Sequence, residues 1–405
     1  MLAWLGYHEN PGPRAGPGDL EDGSVRDAVI VAAVRTPVGK RNGGLAGVHP
    51  VDLSALVLAA LAERSGIDPA IVDDVIWGCV SQVGEQTFDI ARNAVLGAGW
   101  PESVPGVTVD RQCGSSQQAV HFAAAGVISG QYDVAVAGGV ESMSRVPMGS
   151  SLAHAWPFGE RFRARYDGVL PNQGIGAEMV AERWHLSRAQ LDEYSLASHE
   201  RAAAAQDEGG YDAQIVPVPT PAGTVVTRDE GIRRGGTRDG MAALKPAFTP
   251  GGVITAGNSS QISDGSAALL ITTSEKAAAL GLAPLVRIHT AVLAGADPVI
   301  MLTAPIPATQ KALRRSGLTI DQIGAAEINE AFAPVPLAWL AELGADPKVL
   351  NPNGGAIALG HPLGASGARA MTTLVYRMRD HGIRYGLQAM CEGGGQANAT
   401  ILELL

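Results

Sequence analysis

From Asp27 the chain runs DAVIVAAVRTP, a β-branched stretch stopped by proline, which is the pattern of a short buried strand. VDLSALVLAALAERSG follows, with Leu53, Leu56, Val57, Ala60 and Leu61 at helical spacing and Gly66 as the stop. VDDVIWGCV then predicts a strand and QTFDIARNAVLGAG a helix. The alternation resumes near Pro284, with LVRIHTAVLAG as strand, PIPATQKALRRSG as helix and AAEINEAF as strand. Strands alternating with helices predict a mostly parallel sheet covered on both faces. Two such series in one chain predict a duplicated α/β unit.

Between the series, roughly Arg145 to Thr255, the texture changes. SRVPMGSSLAHAWPFGERFRARYDGVLPNQGIG is irregular and rich in Gly and Pro, AEMVAERWHLSRAQLDEYSLASHERAAAAQDEG reads as two helices separated near Ser187, and VPVPTPAGTVVTRDEGIRRGGT is again turn-rich. Excursions of this length serve as lids or binding loops. The first 25 residues lack the basic start and apolar run of a signal peptide and read as a flexible extension, with a translation start expected nearer Val25. The expected division is therefore an extension over 1–25, a first half over 26–283 interrupted by a loop domain over about 145–255, and a second half over 284–405.

Composition narrows the chemistry. The net charge of -10 argues against a broad nucleic-acid-binding face, so any affinity for phosphate must be local. Three scattered cysteines, Cys79, Cys113 and Cys391, form no disulfide framework, and no CxxC pair or HExxH cluster offers a metal site. A reducing, cytoplasmic setting fits best. No apolar run approaches the 18 or so residues that a membrane span needs.

Four places carry candidate chemistry. In VTVDRQCGSSQQAVHFAAAGVISG a strand leads to Cys113 just before a helix, where free N–H groups and the helix dipole stabilise a thiolate; a buried small residue at a tight turn is the competing reading. In NPNGGAIALGHPLGASGARAM the glycines fit neither nucleotide-binding loop, and His361 is held between Gly360 and Pro362 ahead of a helix. In QAMCEGGGQANAT, Cys391 precedes Gly393, whose neighbours let another backbone or a ligand come close. Asn329 opens NEAFA at the end of a predicted strand, where open α/β sheets bind ligands.

Cys113, NEAFA, GHP and CEGGG, in this order and at these separations, resemble the thiolase family of acyl-CoA C-acyltransferases, from about Arg26 to Leu405. The resemblance implies two similar α/β halves, each a five-stranded mixed sheet with covering helices, and a loop domain inserted in the first. It implies that Cys113 accepts the acyl group, that His361 activates it and that Cys391 moves the α-proton. Asn329 would hold a water that forms one oxyanion hole with His361, while the N–H groups of Cys113 and Gly393 form the other. Ser260, Ala256 and Phe248 match positions that line the pantetheine channel, and Phe332 one near the acyl pocket. CoA and acyl-CoA are then substrates, no cofactor is needed, and a homodimer or homotetramer is expected.

Two alternatives compete. A decarboxylating ketoacyl synthase shares the nucleophile but has no equivalent of Cys391, and a non-catalytic CoA-binding scaffold would lack one of the reactive residues. Arg161 to Arg165 (RFRAR) and Arg233 to Arg238 (RRGGTR) offer partners for the phosphates of CoA, or simply solvated basic faces. Glu392 and Ala397 stand where many relatives have an apolar residue and glycine, and Asn172-Gln173 where acetyl-specific relatives often carry His-Met. A longer or bulkier acyl group is therefore expected.

Overall fold

The elements follow the alternation read from the hydrophobic pattern. Residues 26–405 are described by the computed structural model, and the expected extension over 1–25 lies outside them. The first series is β1 (Val29–Arg35), β2 (Gly39–Lys40), α1 (Pro50–Ser65), β3 (Asp74–Gly78), α2 (Ile90–Gly97), β4 (Gly106–Val109), α3 (Ser115–Ser129) and β5 (Val134–Ser142). Pro50 opens α1, where a missing N–H leaves no bond unmade. His49 Nδ1 accepts from Val51 N–H, and Gly66 closes the helix at φ 72°.

The excursion holds α4 (Glu160–Arg165), α5 (Gln173–Arg183), α6 (Arg188–Asp207), the β6–β7 hairpin (Val218–Pro219 and Val225–Val226) and α7 (Arg238–Ala242). Ser187 separates α5 from α6 through a capping box with Gln190. Then come β8 (Ser263–Thr272), α8 (Ser274–Ala279), β9 (Val286–Gly295), α9 (Pro305–Ser316), β10 (Ala325–Ile328), α10 (Pro334–Leu343), α11 (Ala356–Leu359), α12 (Ser366–His381), β11 (Tyr385–Glu392) and β12 (Gln396–Leu404).

The strands lie in the order β10-β11-β12-β9-β1-β8-β5-β3-β4. Read outward from the centre, β1-β8-β5-β3-β4 and β9-β12-β11-β10 have the same sequence of senses, two antiparallel pairings followed by parallel ones. The duplication is thus topological. It differs from two separate five-stranded sheets in two respects. β1 and β9 pair across the centre at Val29↔Arg287 and Ile30↔Val286, which joins the halves into one sheet. The second half also has no full strand where the first has β4: Leu350 makes a single parallel bridge to Ala326, and Asn351, at φ 44°, turns the chain away.

Three apolar clusters define the layers. Leu53 and Leu58 of α1 and Ile90 of α2 pack on Trp77, Val136 and Leu270. Ile306 of α9 and Trp339 of α10 pack on Ile328, Leu387 and Ile401 at the other end. Between the two sheet halves, Val120 and Val127 of α3 and Met371, Leu374 and Met378 of α12 pack against Ile76 and Leu269 on one side and Val286 and Leu402 on the other. α3 and α12 are therefore the buried central layer. The turn before each is where Cys113 and His361 stand.

Candidate active site

Cys113 precedes Gly114, the N-cap of α3, and Gln112 before it adopts a left-handed φ of 50° that swings the chain from β4 into the helix. His361 occupies the equivalent approach to α12. Gly360 there has φ 109°, and a side chain on it would strike Ser263 Oγ at 2.2 Å, so only glycine brings the loop in this close. The loop is tied to the first half by the buried Glu141, whose carboxylate accepts from Val80 N–H, Ser81 N–H, Gln86 Nε2 and Gly364 N–H.

His361 Nδ1 lies 2.6 Å from Ser366 Oγ, and Ser366 Oγ lies 2.8 Å from the Pro362 carbonyl. A carbonyl only accepts, so the single serine hydrogen points to Pro362 and Ser366 accepts from Nδ1–H. That leaves a lone pair on Nε2, which is buried and has no partner in the protein.

Cys391 is the penultimate residue of β11, and Asn329 Nδ2 donates to its Sγ at 3.6 Å. Asn329 is set by its own N–H donating to Ala389 O (3.0 Å). The next residue, Glu330, anchors NEAFA by accepting from Tyr194 OH, Ser198 OH, Asn351 Nδ2 and Ile357 N–H. All four sequence candidates are buried: Cys113 4%, His361 4%, Asn329 7% and Cys391 1% exposed.

Burial also sets their charge. It pushes the Cys113 thiol well above its ordinary value, with the nearby Cys391 and Glu392 acting in the same sense. Cys391 is raised to about 12 by burial, against the hydrogen bond from Asn329. His361 is lowered to about 3 by burial and then by Arg369. Burial thus favours neutral thiols beside a neutral imidazole, against the expectation that the helix start favours a thiolate.

A cavity of about 750 Å³ opens over Cys113, Gln112 and Gly393. Met148, Leu152, Phe158, Phe162 and Tyr166 form much of its wall. Phe158 stacks on Phe162 at 4.7 Å, and Phe162 packs on Tyr166 at 4.8 Å. His361, Cys391 and Asn329 are not on its wall. Of the acetyl-specificity pair, Gln173 faces the cavity, whereas Asn172 caps α5 by accepting from Gly174 and Ile175 N–H.

Ser260, Ala256, Phe248 and Phe332 are also off the cavity wall, but Ser260 and Phe248 both touch NEAFA, to which Phe332 belongs. Phe248 and Phe332 pack edge to face at 5.8 Å, and Ser260 N–H donates to Ala331 O. Ala256 is exposed. In RRGGTR, Arg234 pairs with Asp207 and Arg238 with Glu193, while Arg233 borders a cleft with His199 and Glu200. In RFRAR the arginines lie on α4, whose Phe162 faces the cavity.

Sequence reasoning missed Ser366, Glu141 and the aromatic wall. Ser366 was visible as the serine that follows the GHP turn by four residues, and the wall as aromatics at 158, 162 and 166, one helical turn apart. Glu141 had no local signal, because its partners come from three separate segments. Among the described residues no group of three or more His, Cys, Asp or Glu is placed to hold a metal ion, and no helix is long and apolar enough to cross a membrane.

A buried cysteine before one central helix, a buried histidine before the other and a second buried cysteine on β11 are groups suited to acyl transfer. The family models for the N-terminal and C-terminal domains of thiolase match residues 28–275 and 282–404, and the chain belongs to the thiolase family. It is 52% identical over 387 residues to a steroid 3-ketoacyl-CoA thiolase of Mycobacterium tuberculosis, covering 94% of each chain. It is 44% identical to a 3-ketoacyl-CoA thiolase of Pseudoalteromonas translucida, covering 94% of this chain and 99% of that one. It is 46% identical to a 3-ketoacyl-CoA thiolase of Yersinia pestis, over 94% and 100%.

Proposed function

We propose that the protein is a 3-ketoacyl-CoA thiolase working by a ping-pong mechanism through an acyl-Cys113 intermediate, on acyl groups bulkier than acetyl. The partnerless Nε2 of His361, fixed as a base by Ser366, carries this reading. As Cys113 attacks the 3-keto carbon, its proton passes to His361 Nε2, and the tetrahedral oxyanion then collapses. The bond between C2 and C3 breaks, its electron pair goes to the acetyl-CoA enolate, and Cys391 delivers the proton to C2. Acetyl-CoA leaves and CoA enters; its thiol proton passes to the Cys391 thiolate, its sulfur takes the acyl group, and the departing Cys113 sulfur recovers the proton held on His361. Because the resting thiols are neutral, proton transfer accompanies attack, and catalysis rests on stabilising the oxyanions.

Asn329, with a water shared with His361, and the N–H groups of Cys113 and Gly393 are the proposed oxyanion donors; losing one such donor typically costs about 3 to 4 kcal/mol. Ser260, Ala256, Phe248 and Phe332 are assigned to the pantetheine channel and acyl pocket, and the arginines at 161–165 and 233–238 to the phosphates. The volume and aromatic lining of the cavity favour a bulky acyl group, and the steroid name of the 52% identical relative points the same way. No cofactor beyond the CoA substrates is assigned, and the setting is cytoplasmic.

The proposed units are the halves 26–283 and 284–405 with the loop domain inserted over about 145–255. A homodimer or homotetramer is supported by β4, which ends the sheet with Val107 exposed, and by the exposed Phe88 and Phe122.

Mass spectrometry of protein mixed with a saturated acyl-CoA, which acylates Cys113 without cleavage at C2, tests the division of labour. Cys113→Ser should take up no acyl group, whereas Cys391→Ser should acylate but fail in condensation and in proton exchange of acetyl-CoA. A Cys391→Ser protein that never acylates would sink the assignment.

A further inference from the structure

Glu392 ends β11 between Cys391 and the glycine turn, and it is 1% exposed. Its Oε1 accepts Asn398 N–H across the hairpin at 3.1 Å, and its Oε2 has no partner. A Cβ on Gly114 would lie 1.9 Å from Oε1, so the carboxyl rests on the N-cap of α3, one residue from Cys113. It acts electrostatically on both Cys113 and Cys391. Glycine at 114 is therefore what admits an acid to the positive end of the helix that carries the nucleophile.

Other groups face this acid from every side. The turn between β4 and α3 presents Asp110, Arg111 and Cys113, and α3 presents His121, reached through Asn398. β12 presents the uncharged Asn398 and Gln396, and β11 itself carries Cys391. His121 is held neutral, lowered to about 3 by burial. Among the described residues Arg111 is the one cation acting on Glu392, and its Nη1 is engaged with Gln396 Oε1 at 3.0 Å while its Nε is buried without a partner. Burial in this company raises the Glu392 carboxyl to about 8.

We propose that Glu392 sets the pH range over which the two cysteines react. As a neutral acid it leaves the positive end of α3 to the Cys113 sulfur. As a carboxylate it takes that end for itself and opposes negative charge on both thiols. The negative charge that moves between Cys113 and Cys391 during turnover meets the same acid at each stop. The proposal rests on the reading of Cys113 and Cys391 as the reacting pair.

The test is the rate of Cys113 alkylation by iodoacetamide, read from the Cys113 peptide between pH 5.5 and 9.5, together with the site of acylation by a 3-ketoacyl-CoA. In the native protein the rate should rise with pH and then flatten as Glu392 ionises. In Glu392→Gln the rate should keep rising through the alkaline range, with alkylation at its upper end several-fold faster than in the native protein. Glu392→Asp, which keeps the acid, should retain the native profile. Glu392→Met provides a second uncharged variant should the glutamine protein fold poorly. Profiles that coincide in native and uncharged variants overturn the proposal, even where the melting temperature drops, because a purely structural role moves stability alone. An acyl group recovered elsewhere than on Cys113 overturns the nucleophile assignment and this proposal with it. An acyl group on Cys113 with unmoved profiles overturns only the role of Glu392.

Discussion

Ser366 decides which nitrogen of His361 can act. Its hydroxyl is committed to the Pro362 carbonyl, so it can only accept from Nδ1–H, and the basic lone pair is left on the buried Nε2. Ser366→Ala removes that acceptor and frees the ring to change tautomer or turn. An unsatisfied buried donor costs about 1 to 3 kcal/mol, so kcat/KM should fall about 10- to 100-fold, with KM for CoA nearly unchanged. Steady-state kinetics and alkylation of Cys113 check this; an unchanged kcat would show that something else orients the ring. At this scale the sequence was informative where chemistry and chain geometry coincide, as at Cys113 before a helix and at His361 between Gly360 and Pro362. It was silent on charge. Whether Cys113 rests as thiol or thiolate depends on how completely the two halves bury it, and no local pattern encodes that.

α4 shows the opposite balance at the scale of the element. ERFRAR was read for its arginines, in a segment that looked irregular, yet a six-residue helix forms there and turns Phe162 to the cavity. Glycine and proline on either side hid a helix this short from any periodicity, while Phe158, Phe162 and Tyr166 kept the i, i+4 spacing that makes them stack. The helix and its flanks therefore serve as a wall, and Phe158, Phe162 and Tyr166 present a broad apolar face to the cavity. Phe162→Ala removes the middle ring of the stack. It should lower kcat/KM for a polycyclic or long-chain 3-ketoacyl-CoA about 10-fold or more, and that for acetoacetyl-CoA by less than about 3-fold. Equal losses on both substrates would mean that the wall holds the site together without choosing between acyl groups.

The core of the molecule is one sheet built twice, and the repeat explains why Cys113 and His361 stand before its two central helices. Alternating strands and helices revealed both copies. The β1–β9 pairing that fuses them, and the shrinking of the last strand to Leu350, were not legible, because both depend on contacts between residues far apart in sequence. The same burial that forms the central layer leaves neutral histidines and carboxylic acids inside, and this makes stability depend on pH in a definite way. His121 and His361 are lowered to about 3 and His199 to about 4, all chiefly by burial, from an ordinary 6.5. As pH rises through that window the unfolded chain loses its advantage in bound protons, so stability rises up to about pH 6.5. Glu327 and Glu392 are raised by burial from 4.5 to about 8, so between those values the folded state holds protons that the unfolded chain has released, and stability falls as pH rises. Each group contributes a slope of at most about 1.4 kcal/mol per pH unit. Below pH 6.5 the two sets oppose each other, and above it only the carboxyls act. The melting temperature measured by calorimetry should therefore be highest near pH 6 and decline toward pH 8, with the decline reduced in Glu327→Gln. A melting temperature that climbs steadily to pH 8 would show that these two carboxyls ionise inside the fold at little cost, with Arg369 and Arg111 as the cations placed to hold them.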